Sequence, residues 1–411
     1  MEKIAFVCYY NDSNKNSFNA LVGSLEQSEY YNILSFYFTK DENELFSVIQ
    51  KIKARYGIII AAFSFFTFQK KKISEIVNVL RFKYGDIIKK GNLILIAGGP
   101  HPTGDPFGTI EMGFDFVFVG EGEESIREFI SSFVNKYDFK KIKGIVFKDG
   151  DETVFTGRRN RIDLNLYPPF PVKNLKFGPI EITRGCPFAC FYCQTPQIFG
   201  TNVRHRDIDV VVDYAKIMRK NKLRDIRFVS PNAFSYGSQN GRNLNVTALE
   251  SLFSELYKEI NPGGRMFIGS FPSEVRPEHV NEETIKIVKN YGSNKNVILG
   301  AQSGSDRMLK SINRSHTIED VYNAVDIILK FGLQPHVDFI FGLPGETEED
   351  VNLTINVIKR LTDKGAIIHV HKFTPLPGTA FMNSNSAPIN REVRSFLGKL
   401  IRENKAYGSI H

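Results

Sequence analysis

Short apolar runs alternate with amphipathic stretches along most of the chain. Ile4 to Val7 is unbroken and apolar, the pattern of a buried strand, and Ser17 to Leu25 has helical spacing. The alternation continues with strands at Ile33 to Tyr37, Gly57 to Ala62, Leu93 to Ala97 and Phe116 to Val119. Helices are predicted at Glu42 to Ala54, Ile73 to Lys83 and Glu123 to Val134. This order predicts an α/β unit over residues 1–140, a doubly wound parallel sheet of the Rossmann-like, flavodoxin type. Residues 141–177 read as a connector. Ile145-Val146-Phe147 and Val154-Phe155 flank the turn at Asp149-Gly150-Asp151 as a hairpin, and Leu166-Tyr167-Pro168-Pro169-Phe170-Pro171 is an extended linker. Residues 178–385 alternate again. Strands fall near Pro179 to Thr183, Ile226 to Val229, Met266 to Ser270, Val297 to Gln302, His336 to Phe341 and Ile367 to Phe373. Six β/α units suit an open (β/α)6 partial barrel, with chemistry at the C-terminal strand ends. Within residues 386–411, Asn390 to Lys405 is a basic helix, a lid or cap.

Composition narrows the class. With 42% hydrophobic residues in 411, the chain can bury sizeable cores. The charge of 53 − 45 = +8 is mild, and runs such as Lys70-Lys71-Lys72 read as solvated helix surface before a nucleic-acid patch. Nucleic acid as a partner is therefore not favoured. The first apolar run is too short for a signal peptide, and no run reaches the roughly 18 residues of a membrane span. Four cysteines, three of them clustered, point to a reducing cytoplasm and not to a disulfide scaffold.

Those three are Cys186, Cys190 and Cys193, spaced Cys-x3-Cys-x2-Cys. Two plain readings compete. The offsets would stack three small groups on one helix face, but Gly185 and Pro187 open the stretch and a strand precedes it. Structural zinc wants four ligands, and no fourth Cys or His sits at ligand spacing nearby. Three thiolates suit an iron–sulfur cluster with one iron left open. The motif, with Tyr192 as its aromatic, resembles the Cys-x3-Cys-x-aromatic-Cys of radical S-adenosylmethionine (SAM) enzymes. That resemblance implies a [4Fe–4S] cluster on Cys186, Cys190 and Cys193, with SAM chelating the open iron. It also implies an electron donor such as flavodoxin or ferredoxin, and reductive cleavage of SAM to a 5′-deoxyadenosyl radical. By position, Asn232, Ser273, Arg276, Gln302, Ser303 and Gly342 look like the family's SAM-contacting strand ends, Arg276 being suited to the SAM carboxylate. Gly342-Leu343-Pro344-Gly345-Glu346 and Pro375-Leu376-Pro377-Gly378-Thr379 resemble signatures shared with methylthiotransferases. His369 and His371 alternate on a strand and face one side, either the barrel interior or solvent.

The strand-end loops of the first unit are Ser64-Phe65-Phe66, Gly98-Gly99-Pro100-His101 and Gly120-Glu121-Gly122-Glu123. Paired glycines let a backbone approach a flat ligand. Ordinary tight turns compete with that reading. The set, with Asp115, resembles the cobalamin (B12)-binding domain that precedes many radical SAM domains. The resemblance implies cobalamin contacts at Ser64, Gly98, Gly99, His101, Gly120, Glu121 and Gly122. It departs at Tyr9-Tyr10-Asn11-Asp12-Ser13, which lacks the cobalt-ligating His of many B12 proteins. Cys8 either faces the same crevice or is a buried core residue. The leading expectation is a cobalamin-dependent radical SAM methyltransferase acting on an unreactive carbon of a small molecule or peptide. The alternatives are methylthiolation of tRNA or protein, a radical rearrangement or ring closure without methyl transfer, and a non-enzymatic zinc or binding protein. Methylthiotransferases use a second cluster on three further cysteines, and only Cys8 remains.

Overall fold

In the computed structural model, which describes residues 3–409, the chain divides into two units. Residues up to Gly178 make the body of the first, and residues from Pro179 make most of the second.

The first unit is built on continuous apolar strands, because a parallel sheet is covered on both faces. β1 (Ile4–Tyr9) is buried at all six positions. With β2 (Leu34–Thr39), β3 (Ile58–Ser64), β4 (Leu93–Gly98) and β5 (Phe116–Phe118) it forms a parallel sheet in the order β2-β1-β3-β4-β5. Helices Lys15–Glu26 and Glu123–Asn135 cover one face through Phe18, Val22, Ile126 and Phe129. Helices Glu42–Ile52 and Lys70–Lys83 cover the other through Leu45, Ile49, Ile73 and Ile76. The strand order reverses between β1 and β3, where ligands bind in such sheets. There Asn14 Nδ2 donates to Tyr9 O and Ser64 O at 2.8 and 2.9 Å, tying the two loops together.

Two expectations change. The hairpin β6 (Ile145–Asp149) and β7 (Glu152–Phe155) belongs to the sheet, extending β5 antiparallel with Val117 opposite Val146. The proline-rich stretch is strapped to the same unit, since Glu26 accepts from Lys173 N and Asn174 N at 2.9 and 2.7 Å. Local pattern shows a hairpin but not which edge it joins.

In the second unit, β8 (Ile180–Glu181) and β9 (Thr183–Arg184) are followed by β10 (Arg204–His205), which pairs antiparallel with β9. β8, β11 (Asp225–Val229) and β12 (Arg265–Phe267) form one parallel sheet. β13 (Asn296–Gln302), β14 (Gln334–Phe341), β15 (Ile367–Lys372) and β16 (Ala406–Ser409) form another. A parallel bridge between Val275 and Leu299, with Ile298 N bonded to Gly269 O at 2.9 Å, joins them into an open barrel wall. The basic helix Arg391–Arg402 is not a lid. It buries Val393, Leu397 and Leu400 and is the crossover that returns the chain to β16, a seventh parallel strand beside β15. Alternate residues face inward: Arg227, Phe267, Asn296, Ile298, His336 and Tyr407 line one cavity of about 410 Å³.

Candidate active site at the cysteine loop

The β9–β10 ladder, with Arg184 opposite Arg204, closes the ends of a loop that contains all three clustered cysteines. Gly185 opens it at φ +92°, a conformation L residues rarely adopt, and a Cβ there would stand 2.2 Å from Asn202 O. Cys186 N donates to Gly200 O at 3.1 Å and Cys193 N to Cys190 O at 3.0 Å. Asn313 Nδ2 holds the middle of the loop through Phe188 O and Ala189 O, at 2.8 and 3.2 Å. Burial raises the Cys186 and Cys193 thiols above their ordinary range, and the neighbouring thiols push them further up. A metal would displace those protons. Among the described residues, the three sulfurs do not gather within the 4.8 Å that a single ion's ligands span.

Arg314, which sequence reasoning missed, reaches this loop. Its Nη1 lies 3.8 Å from Cys190 Sγ and its Nη2 donates to Gly300 O at 2.6 Å. Gly300 makes room: a Cβ there would lie 2.6–2.7 Å from Arg314 Nη2, Gln302 Nε2 and Glu274 Oε2. Tyr192, its hydroxyl raised by burial, interacts with Arg314, Cys190 and Cys193. Glu274 faces the open interior, reached by solvent yet hemmed in by protein. Burial, then the charge of Asp338, pushes its carboxyl up to about 7. The available signal for Arg314 is conformational: Asn313 and Ser315 beside it both have positive φ, at 58° and 65°.

The predicted SAM-contacting residues divide into two groups. Asn232 and Ser273 build the platform. Asn232 bonds His279 Nδ1 at 2.6 Å and accepts from Arg276 N at 3.2 Å, while Ser273 Oγ donates to Phe228 O and accepts from Ser230 N. Ser303 is fully buried and its Oγ accepts from Ser305 N at 3.2 Å. Gly342, at φ +81°, donates to Glu346 Oε2 at 2.7 Å. Gln302 is buried at φ +73°. Arg276 lies 3.5 Å over the Phe188 ring and is already paired with Glu278 and Arg314 O, which leaves Nη1 without a hydrogen bond. Ser270 Oγ, Glu278 Oε2, Arg314 Nε and His316 Nδ1 are likewise buried without hydrogen bonds. Orphaned polar atoms gathered in the segments that follow β12 and β13 fit a polar ligand such as SAM.

In the first unit, Gly99 sits at φ +93° with its would-be Cβ 2.5 Å from Ser64 Oγ. Ser64 Oγ and His101 Nε2 are buried without hydrogen bonds, while His101 Nδ1 bonds Thr67 Oγ1 at 3.1 Å and the ring stacks on Phe65. Gly98 ends β4 beside them, and Gly120 N donates to Thr103 Oγ1 at 3.1 Å. A glycine cradle with orphaned groups fits a bulky planar ligand. Glu121 points elsewhere: buried, it accepts from Ile162 N at 2.9 Å, and Gly122 caps the helix that follows. Asp115 is structural, bonded to Leu95 N and Arg81. Cys8 is settled as a core residue, packed with Phe6, Phe18 and Ile60, its thiol driven far up by burial.

Residues 180–358 match the radical SAM superfamily. An uncharacterized methyltransferase of Pyrococcus horikoshii is 27% identical over 302 residues, covering 70% of this chain and 62% of its own. A putative methylthiotransferase of Methanocaldococcus jannaschii is 29% identical over 255 residues, covering 60% and 53%. The chain thus spans between 53% and 62% of the length of these curated relatives. Among solved structures, the radical SAM methyltransferase TsrM of Kitasatospora setae, with cobalamin and a [4Fe-4S] cluster bound, matches with TM-score 0.70 at 15% identity. The match covers 92% of this chain and 74% of that one. OxsB, a cobalamin-dependent SAM radical enzyme with aqua-cobalamin and SAM bound, matches at 0.69 and 16%, covering 88% and 52%. The described residues hold no helix long and apolar enough to cross a membrane. With its cysteine loop at the head of an open parallel barrel, the second unit carries a radical SAM domain over residues 180–358.

Proposed function

We propose that the chain is a cobalamin-dependent radical SAM enzyme that transfers a methyl group to an unreactive carbon of a small molecule or peptide, with reduction by a flavodoxin- or ferredoxin-type donor. The observation that carries this is the presence, in one chain, of the cysteine loop and of the Ser64–Gly99–His101 cradle, where Ser64 Oγ and His101 Nε2 are buried without hydrogen bonds. Cys186, Cys190 and Cys193 would hold the cluster, the polar strand ends would seat SAM, and Gly98, Gly99, Ser64 and His101 would line the cobalamin site. When bound, the cluster supplies the electron that cleaves SAM, and cobalamin carries the methyl group. Arg314 places a fixed cation beside Cys190, offsetting the negative charge that thiolates and cluster bring into a buried site. The loop Tyr10 to Asn14 is pinned to Ser64 O by Asn14 and offers no imidazole.

The methylthiotransferase reading draws on relatives of that kind, such as a human threonylcarbamoyladenosine tRNA methylthiotransferase 28% identical over 239 residues. Against it, the one cysteine outside the loop, Cys8, is sealed in the first unit's core and cannot serve a second cluster. Anaerobic purification with iron, sulfide and cobalamin analysis, followed by a 5′-deoxyadenosine assay, tests the proposal. Four irons, one cobalamin and SAM cleavage are expected. SAM cleavage by a reconstituted protein that binds no cobalamin would remove the methyl-transfer reading.

A further inference from the structure

The inner wall of the second unit carries a group of side chains to which the proposed cluster and SAM contacts assign no role. Asp338 on β14 and His369 on β15 are direct partners in the sheet register, and Tyr407 on β16 continues the same row. Tyr407 lines the inward cavity, so this row faces the barrel interior. His371, two residues along β15, shares that face. Asp338 Oδ1 lies 3.2 Å from His369 Nδ1, and Asp338 Oδ2 lies 3.8 Å from His371 Nε2. One ligand atom from each residue falls within 4.8 Å of the other two.

We propose that Asp338, His369 and His371 form a binding site for one divalent transition-metal ion of the zinc or ferrous class, distinct from the cluster. Two imidazoles and one carboxylate are the donor set such ions take when positions are left open for another ligand. Ligands about 2.1 Å from a tetrahedral ion stand roughly 3.4 Å from one another. The two Asp–His separations already bracket that value, so closing the shell needs rotamer adjustments and no backbone movement. The supports behind the ligands are present as well. The His369 ring stacks on Tyr407 at 4.3 Å and 12°, which fixes its plane, and Glu274 bonds the Asp338 carboxylate from the adjoining loop. Asp338 is 3% exposed and the two imidazoles remain partly open, so the free coordination positions point into the interior. A substrate oxygen or nitrogen would bind there, which gives the barrel a means of holding a heteroatom of its substrate.

The competing reading is a plain imidazole–carboxylate hydrogen-bond cluster, and metal counting separates the two. The reconstituted full-length protein is equilibrated anaerobically with a tenfold excess of zinc, passed through gel filtration, and analysed for zinc and iron separately. About one zinc per chain is expected in the wild type, and less than one tenth of that in His369→Ala and in His371→Ala. His336→Ala, altered on the same wall but outside the trio, should keep its zinc. Cobalt titration of the Cys186→Ser, Cys190→Ser, Cys193→Ser protein should show the visible absorption of a low-symmetry site, absent once His371 is also replaced. If that triple variant does not fold, the zinc count on the reconstituted protein decides. Absence of retained zinc in the wild type, or equal retention in the two histidine variants, overturns the site.

Discussion

Gly185→Ala tests whether backbone geometry, and not only thiol identity, sets the cysteine loop. Two costs combine there. A non-glycine residue held at φ +92° costs about 1–3 kcal/mol. A Cβ 2.2 Å from the Asn202 carbonyl oxygen forces a shift near 1 Å in a segment fixed by the β9–β10 pairing, and such overpacking costs about 1–3 kcal/mol more. Gly365→Ala is the matched control. It has φ +100° with nothing within 4 Å of the new atom, so it incurs only the first cost. The difference of about 1–3 kcal/mol corresponds to roughly 2–12 °C in apparent Tm for a unit of this size. Thermal scans at one scan rate, with iron analysis after anaerobic reconstitution, read both effects. Gly185→Ala should melt below Gly365→Ala and hold less than half the iron, because the displaced segment carries Cys186 directly after it. Equal melting temperatures with full iron in both variants would refute the argument that the loop depends on this close approach.

Alanine at Cys186, Cys190 or Cys193 should abolish the cluster's iron and its absorbance, whereas Cys8→Ala, a core change, should lower stability and leave iron per chain unaltered. Gly99→Val should lose cobalamin by at least tenfold in affinity while keeping its iron, since the new side chain meets Ser64 Oγ and Phe65 N; equilibrium binding with iron analysis checks this. Glu346, pushed up to about 7 by burial, is expected to give a pH-dependent stability. Its folded pKa exceeds the unfolded value, so its contribution is full below about pH 4.5 and declines as pH rises through about 7, on the order of 2 kcal/mol after allowance for partial exposure. Urea midpoints measured across that range should lose this slope in Glu346→Gln.

The first unit was legible because buried parallel strands are runs of apolar residues and their loops carry glycine at backbone-approach positions. The cysteine loop was legible because cysteine is otherwise avoided. β16 was not. Ala406-Tyr407-Gly408-Ser409 is four residues long, three of them exposed, with a glycine inside, so neither alternation nor an apolar run marks it. Without that strand, the Arg391–Arg402 helix reads as a free amphipathic cap, although its apolar face is the one a crossover needs. Sequence position placed Asn232, Ser273, Gln302 and Gly342 at or just beyond the ends of β11 to β14, but it did not give the hydrogen-bond partners of each side chain. Asn232 and Ser273 answer nearby backbone and imidazole groups, and the buried atoms without hydrogen bonds belong partly to Ser270, Glu278, Arg314 and His316.

These misses have a common cause. Arg314 matters because Gly300, fourteen residues earlier, lacks a side chain and lets the guanidinium through to Cys190. His369 and His371 acquire meaning because the register of β14 against β15 sets Asp338 opposite His369, with His371 Nε2 3.8 Å from its other oxygen. Each relation depends on which residues the row of strands brings side by side, and a one-residue slip would turn Asp338 toward the helices and leave the imidazoles without a carboxylate. The seventh strand therefore bears on the chemistry as well as the fold, since β16 supplies the Tyr407 ring on which His369 is stacked.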